Sequence, residues 1–240
     1  MKKLFLLIFS LFLIGSYSIF AADLGIGIVV PLGASISQSS ITHKAGVDTK
    51  NGALSTSGAF EWGVGITPGF YKDFDDYMGF SFALDLAYHR DVFAYKESVA
   101  TGNNSYSTVN TSYNFDTISI GLLPKFNIAR FFIGIGGGVK IPLASSETTK
   151  TYNEQTHQLV DANNKYNFNN TKNKFDMFVI PYIKLTVDYL FFFNKEAAFG
   201  LGIYAGYDFG PSFKADDRFS KKSLGAFDIG AQISLYFVDN

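Results

Sequence analysis

The stretch GFSFALDLAYHRD, residues 79–91, alternates large apolar residues with small or polar ones over most of its length. With Met78 in front, it sets Phe80, Phe82, Leu84, Leu86 and Tyr88 on one parity. Gly79, Ser81, Ala83, Asp85, Ala87 and His89 occupy the other. Strict alternation is the period of a β-strand with a single apolar face. Ser81, Asp85 and His89 are also the residue types of a hydrolase triad. Strand geometry excludes that triad, because residues four apart lie about 13 Å from each other. Triad neighbours need to be within about 3 Å.

The same period recurs along the chain. Runs at 24–32, 60–70, 78–88, 118–126, 131–141, 175–189, 199–209 and 227–237 all place large apolar residues on one parity. The opposite parity is rich in Gly, Ser, Thr and charge. Connections near 72–76, 127–130 and 191–196 are short; those near 38–56, 93–112, 144–174 and 211–223 are long and polar. The pattern predicts an all-β chain, an eight-stranded antiparallel up-and-down transmembrane β-barrel. Its short turns are periplasmic and its long loops extracellular.

A soluble barrel with its apolar face inward is the competing arrangement. An eight-stranded barrel has an interior only wide enough for side chains or one small ligand. The apolar parity carries far too many large side chains for that space, so it faces lipid. The composition fits: 26 Phe and 14 Tyr stand beside 23 Gly, and a narrow lumen needs glycines next to bulky Tyr182 and Tyr204. Phe70, Phe126, Phe131, Tyr189, Phe199 and Phe237 fall at the turn end. Phe60, Tyr88, Phe175, Tyr207, Phe209 and Phe227 fall at the loop end. Two aromatic belts are expected of a spanning barrel.

The N-terminus carries Lys2 and Lys3, an apolar run over 4–20 and small residues at Ala21 and Ala22. This is the layout of a secretory signal peptide, expected to occupy residues 1–21 and leave a barrel domain over 22–240. Without Lys2 and Lys3 the chain has 18 basic against 21 acidic residues, a balance with no polyanion signal, so no nucleic-acid partner is expected. No cysteine is present, which excludes a disulfide scaffold and a lipid-anchored lipoprotein.

The final strand, FDIGAQISLYF over 227–237, resembles the aromatic-terminated strand that the outer-membrane barrel-assembly machinery recognises. Val238, Asp239 and Asn240 follow the aromatic, where that pattern usually stops. Over 23–237 the chain resembles the eight-stranded OmpA-like and OmpX/Ail-like barrels, by architecture. The resemblance implies the outer membrane of a Gram-negative-type bacterium, and outer-membrane lipid and the barrel-assembly machinery as partners. A monomer is expected, with no peptidoglycan-binding domain after the barrel.

Glu61, Asp85, Lys140, Lys184 and Asp228 fall on inward parities at similar counts from the turn ends. Buried charges must pair or be neutralised. They are therefore expected to form an ionic cluster in the lumen, with Tyr204 as a neighbour. Asp85 is expected to meet Lys140 or Lys184. Three carboxylates against two ammonium groups leave one over, to be met by a proton, a water or a small cation. His43 and His157 fall in loops, so no metal, cofactor or catalytic site is expected. Pro31, Pro124 and Pro142 sit near the ends of the strand patterns, whereas Pro181 sits in the middle of one, where a bulge is expected.

The loops carry strand-like arms. Asn51-Gly52 is a hairpin signal, and KTYNEQTHQLVDANNKYNFN, residues 150–169, has Thr, Tyr and Val arms about a polar centre. Lys214, Arg218, Lys221 and Lys222 with Asp216 and Asp217 form a charged fourth loop. Such hairpins, similar to the raised strands of OmpX-like proteins, suit a surface ligand bound by strand addition. The expected function is a barrel without catalytic role that presents surface loops for adhesion or envelope interaction, or supports membrane integrity. A narrow pore is the first alternative. An outer-membrane lipid-modifying enzyme, with His89 toward the loop end, is the second.

Overall fold

A computed structural model describes residues 23–44, 55–74, 77–102, 105–153, 158–176, 179–194, 196–215 and 219–239. The expected signal peptide, Asn51-Gly52, His157, Asp216, Asp217 and Arg218 lie outside them. The chain forms β1 (Asp23–His43), β2 (Ser55–Thr56), β3 (Gly58–Asp73), β4 (Met78–Gly102), β5 (Ser105–Ile128) and β6 (Phe131–Asn153). Then follow β7 (Gln158–Tyr166), α1 (Phe168–Lys174), β8 (Ile180–Phe192), β9 (Ala197–Asp208), β10 (Ser212–Phe213) and β11 (Phe219–Asp239). Eight strands run antiparallel in the order β1-β3-β4-β5-β6-β8-β9-β11, and β11 pairs back onto β1. The sheet is closed, so the spanning wall has no edge and every backbone group can find a partner without water.

The parity of the sequence holds around the ring. Ile28, Ile66, Leu84, Ile120, Ile133, Leu185, Leu201 and Ile233 point outward and stay exposed, while Ser81, Asp85, Ser119, Thr186 and Ser234 point inward and are buried. A chain with its oily side outward and its polar side enclosed is built for lipid. On β4 and β5 the apolar belt ends at Tyr88 and Ile118. The next outward pair is Arg90 and Asp116, 3.7 Å apart, with the Tyr88 hydroxyl donating to Asp116 at 2.8 Å. A charged pair just beyond a tyrosine marks the level where hydrocarbon gives way to headgroups.

The wall is uneven in height. β4 and β5 are 25 and 24 residues long, whereas crossing the bilayer takes about 9–11. β8 and β9 are 13 and 12 residues long. The tall side continues as β4, β5, β6 and β7 above the membrane, flanked by β2 on β4, so much of what the sequence suggests as loop is sheet. At the foot of the barrel, Val238 and Asp239 continue the ladder against Gly25 and Leu24 rather than leaving it.

Two expectations are corrected. Pro181 is no mid-strand irregularity: it is the second residue of β8, and its ladder to Val139 is regular. The ladder gaps lie instead at Pro31 in β1·β3, Pro68 in β3·β4 and Pro124 in β5·β6, and the one bulge among these is at Leu143, beside Pro142. Each is where an N–H is missing. Register is the same on both sides of the first three gaps, so each costs a hydrogen bond and no shift. Phe175 is the second correction. It precedes β8, is 3% exposed, and turns into the mouth of the barrel rather than out to lipid.

Glycines make room for the lumen tyrosines. A Cβ on Gly121 would lie 2.3 Å from the Tyr182 hydroxyl oxygen, and one on Gly33 would lie 2.2 Å from that of Tyr204. Gly121→Val is therefore expected to lower stability by about 1–3 kcal/mol through overpacking, measured as a lower urea midpoint. The same substitution at Gly58, where only the Ser35 carbonyl oxygen comes near, is expected to be far milder.

Candidate functional site

The lumen is the region where this chain concentrates buried charge. It is filled in tiers. At the periplasmic end Phe132, Leu190, Ala198 and Tyr236 form an apolar floor, with Tyr71 packed against it. Directly above, Lys125 donates to Asp188 and to the Tyr236 hydroxyl, both at 2.8 Å, and Gln232 donates to the second Asp188 oxygen at 2.5 Å. In the middle tier Lys184 lies 2.6 Å from Asp85, and the Tyr182 hydroxyl donates to the same carboxylate at 2.9 Å.

The upper tier centres on Lys140. It donates to Asp91 at 2.7 Å and to Asp208 at 2.6 Å, tying β6 to β4 and β9 across the barrel. Thr117 donates to the other Asp91 oxygen at 2.6 Å. Glu61 accepts the Val92 backbone N–H at 2.6 Å, replacing a ladder bond where β4 leaves β3 above the Trp62–Arg90 pair. Ser37 does the same for the Ala94 N–H at 2.8 Å. A small cavity of about 40 Å³ is lined by Glu61, His89, Asp91, Lys140, Lys184, Tyr204, Asp208 and Asp228, among others.

Glu61, Lys140, Lys184 and Asp228 thus share one cavity, and Asp85 is bonded to Lys184. Of the two partners named for Asp85, the structure selects Lys184. Lys140 is engaged by Asp91 and Asp208 instead. Sequence reasoning missed Asp91, Lys125, Asp188 and Asp208 as members of ionic tiers. The signal was available: all four lie on the inward parity, where a narrow lumen forces any charge to find a counter-charge. Ser81 is bonded to Asn127 at 3.4 Å and Asp85 to Lys184 and Tyr182, so neither triad candidate touches the other. Among the described residues, no group of three or more His, Cys, Asp or Glu side chains could hold a metal ion.

Above Lys140 the mouth is closed by an aromatic cap of Phe93, Tyr95, Tyr113, Phe115, Phe175 and Phe213, with Ile180, Leu224 and Ala226. Phe175 and Phe213 flank the short side and meet in an isolated antiparallel bridge, rings 4.8 Å apart. Phe93 and Phe115 come from the tall side, with rings 5.7 Å apart. Lys222 is buried among these rings, 4.3 Å from the Tyr95 centroid and 4.4 Å from that of Phe213. Such cation–π contacts strengthen when water is excluded.

The outer flank of the cap carries a polar knot. Lys174 and the Tyr166 hydroxyl donate to one Glu147 oxygen at 2.5 and 2.9 Å, and the Tyr113 hydroxyl donates to the other at 2.7 Å. Burial raises the Glu147 carboxyl, but the bonds from Lys174, Tyr113 and Tyr166 outweigh it and hold it below its ordinary value of 4.5. A depressed folded value means that the stabilisation is present above the unfolded value and is lost as pH falls through the folded one. Acidification below about pH 4.5 is therefore expected to loosen β7 and α1 from β6, read as faster amide exchange there. Glu147→Gln should flatten that pH dependence.

A closed β-barrel with a lipid-facing wall and an enclosed polar lumen defines the class: a transmembrane barrel of the outer membrane. The chain belongs to the family described as outer membrane protein beta-barrel domain, which matches residues 20–225. No curated protein sequence matches it. Similar solved structures include the outer membrane protease OmpT from Escherichia coli, at 9% identity over 90% of this chain and 97% of that one, TM-score 0.39. Ail, the attachment invasion locus protein of Yersinia pestis, is 11% identical over 87% and 97%, TM-score 0.29. Neisserial surface protein A is 10% identical over 86% and 95%, TM-score 0.31. Likeness at this level carries nothing about activity.

Proposed function

We propose that this protein is a closed, non-catalytic outer-membrane scaffold that displays an extracellular β-sheet for adhesion or envelope interaction. The observation that carries the reading is the pairing of β7. It joins β6 above the membrane, and among the described residues no strand pairs with its other edge. Its length is exposed, with Leu159 at 59% and Val160 at 62%. An open edge with apolar side chains on both faces is suited to strand addition by a partner polypeptide. The aromatic cap and the apolar floor argue against a pore, since both ends of the lumen are filled with side chains. The separation of Ser81, Asp85 and His89 along one strand argues against hydrolysis.

The test is display of the protein on cells, with binding to envelope or host surfaces scored against a variant in which Val160 and Ala162 are both replaced by proline. Proline removes ladder donors and spoils an edge. Binding is expected to fall to background while the heat-modifiable gel shift of the folded barrel persists. Planar-bilayer recordings are expected to show no discrete conductance. Retained binding in the proline variant would refute the edge reading, and a discrete conductance the closed-scaffold reading.

A further inference from the structure

Lys125 pairs with Asp188 and Lys184 with Asp85, one to one. Lys140 faces four carboxyl groups: Asp91 and Asp208, which it touches, and Glu61 and Asp228, which line the same cavity together with His89 and the Asp85-paired Lys184. That local excess of acidic groups sits in the membrane-spanning part of the barrel, where an uncompensated charge is expensive and each carboxyl must be met by a proton or a cation.

A second observation lies at the same place. Asp228 is 6% exposed and lines the cavity, and its Oδ1 has no hydrogen-bond partner. Ser35, its register partner across the β1–β11 ladder, is fully buried, and its hydroxyl is likewise unpartnered. A proton shared between the neighbouring Asp228 and Glu61 carboxylates is the competing species, and a sodium dependence of stability separates the two. Asp228 lines the cavity and Ser35 is its ladder neighbour, so a cation lying in the cavity could satisfy both oxygens. The cavity of about 40 Å³ takes a water-sized ion and excludes a bulky organic one. Divalent chelation is disfavoured, because no set of three or more carboxylate or imidazole groups among the described residues converges as a metal site.

We propose that the upper lumen binds a small monovalent cation between the Asp228 carboxylate, the Ser35 hydroxyl and the Glu61 carboxylate, offsetting the excess of acidic groups around Lys140. Glu61 already holds the Val92 N–H, and Asp91 lies two residues before Phe93 of the cap. The ion therefore sits at the root of the cap and holds β1, β3 and β11 together beneath it. This site is independent of whatever the β7 edge binds.

The test uses the full-length folded barrel in detergent, with its unfolding midpoint followed in sodium chloride and in choline chloride at equal ionic strength. A ligand that binds only the folded state raises that midpoint in a saturable way. Sodium is expected to give such a rise, choline to give none, and Asp228→Asn to abolish the difference. Asp73→Asn, at the periplasmic turn, should leave it intact. Equal midpoints in the two salts, or a sodium response that survives Asp228→Asn, would overturn the site. Should Asp228→Asn not fold, crystals of the unaltered protein soaked in thallium(I) decide. An anomalous peak beside Asp228 supports the site, and none there refutes it.

Discussion

Replacing Lys125 by methionine is expected to destabilise the barrel by about 3–5 kcal/mol, the cost of leaving one member of a buried ion pair alone. Lys125 and Asp188 have side-chain exposures of 3% and 0%, so solvent cannot take over the stranded carboxylate. The loss also unties Tyr236, whose hydroxyl receives Lys125 and whose ring stacks on Phe132 at 6.4 Å in the floor. Replacing both partners, Lys125→Met with Asp188→Leu, is expected to recover most of the loss, because no unpaired charge remains. Urea unfolding in lipid vesicles measures both variants. The single tryptophan, Trp62, lies on the lipid-facing side at 39% exposure and reports insertion directly. A single variant as stable as the original protein would refute the ionic account of the lower lumen.

The second large effect is expected from Phe115→Ala. Phe115 is fully buried, with its ring 5.7 Å from that of Phe93 and 5.1 Å from that of Phe175. Truncating a buried phenylalanine removes about 3–5 kcal/mol. Here that loss falls on the cap, since the spanning ladders below are untouched. The expected result is rapid protease cleavage in the segments around Phe175 and Phe213, with the heat-modifiable gel shift retained. Phe126→Ala, which removes a lipid-facing ring at 42% exposure, should leave cap cleavage unchanged. If both variants were cleaved alike, the cap would not be the element that seals the mouth.

Period-two alternation was enough to place Phe80, Leu84 and Tyr88 in lipid and Ser81 and Asp85 in the lumen, because pleat geometry leaves a strand no other choice. It also placed Lys125, Asp188 and Asp208 inward. Their partners could not be read by counting from the turns. Strands in a closed barrel tilt and their register is sheared, so equal counts do not mean equal heights. Lys140 meets Asp91 and Asp208 for that reason, although Asp85 has the more similar count.

The stretch 91–95 shows where local pattern fails outright. Asp91, Val92, Phe93, Ala94 and Tyr95 are all buried, on both faces of β4. The strand parts from β3 there, and Glu61 and Ser37 take its N–H groups. Nothing in the alternation of those residues announces a second buried face, since it arises from contacts with β1 and β3. Local alternation suffices for the lipid-facing wall, because the bilayer tests every second side chain of a strand. Tertiary structure alone decided which charges pair and that the mouth is capped, because those contacts join residues distant in the chain across a lumen whose shear no local pattern encodes.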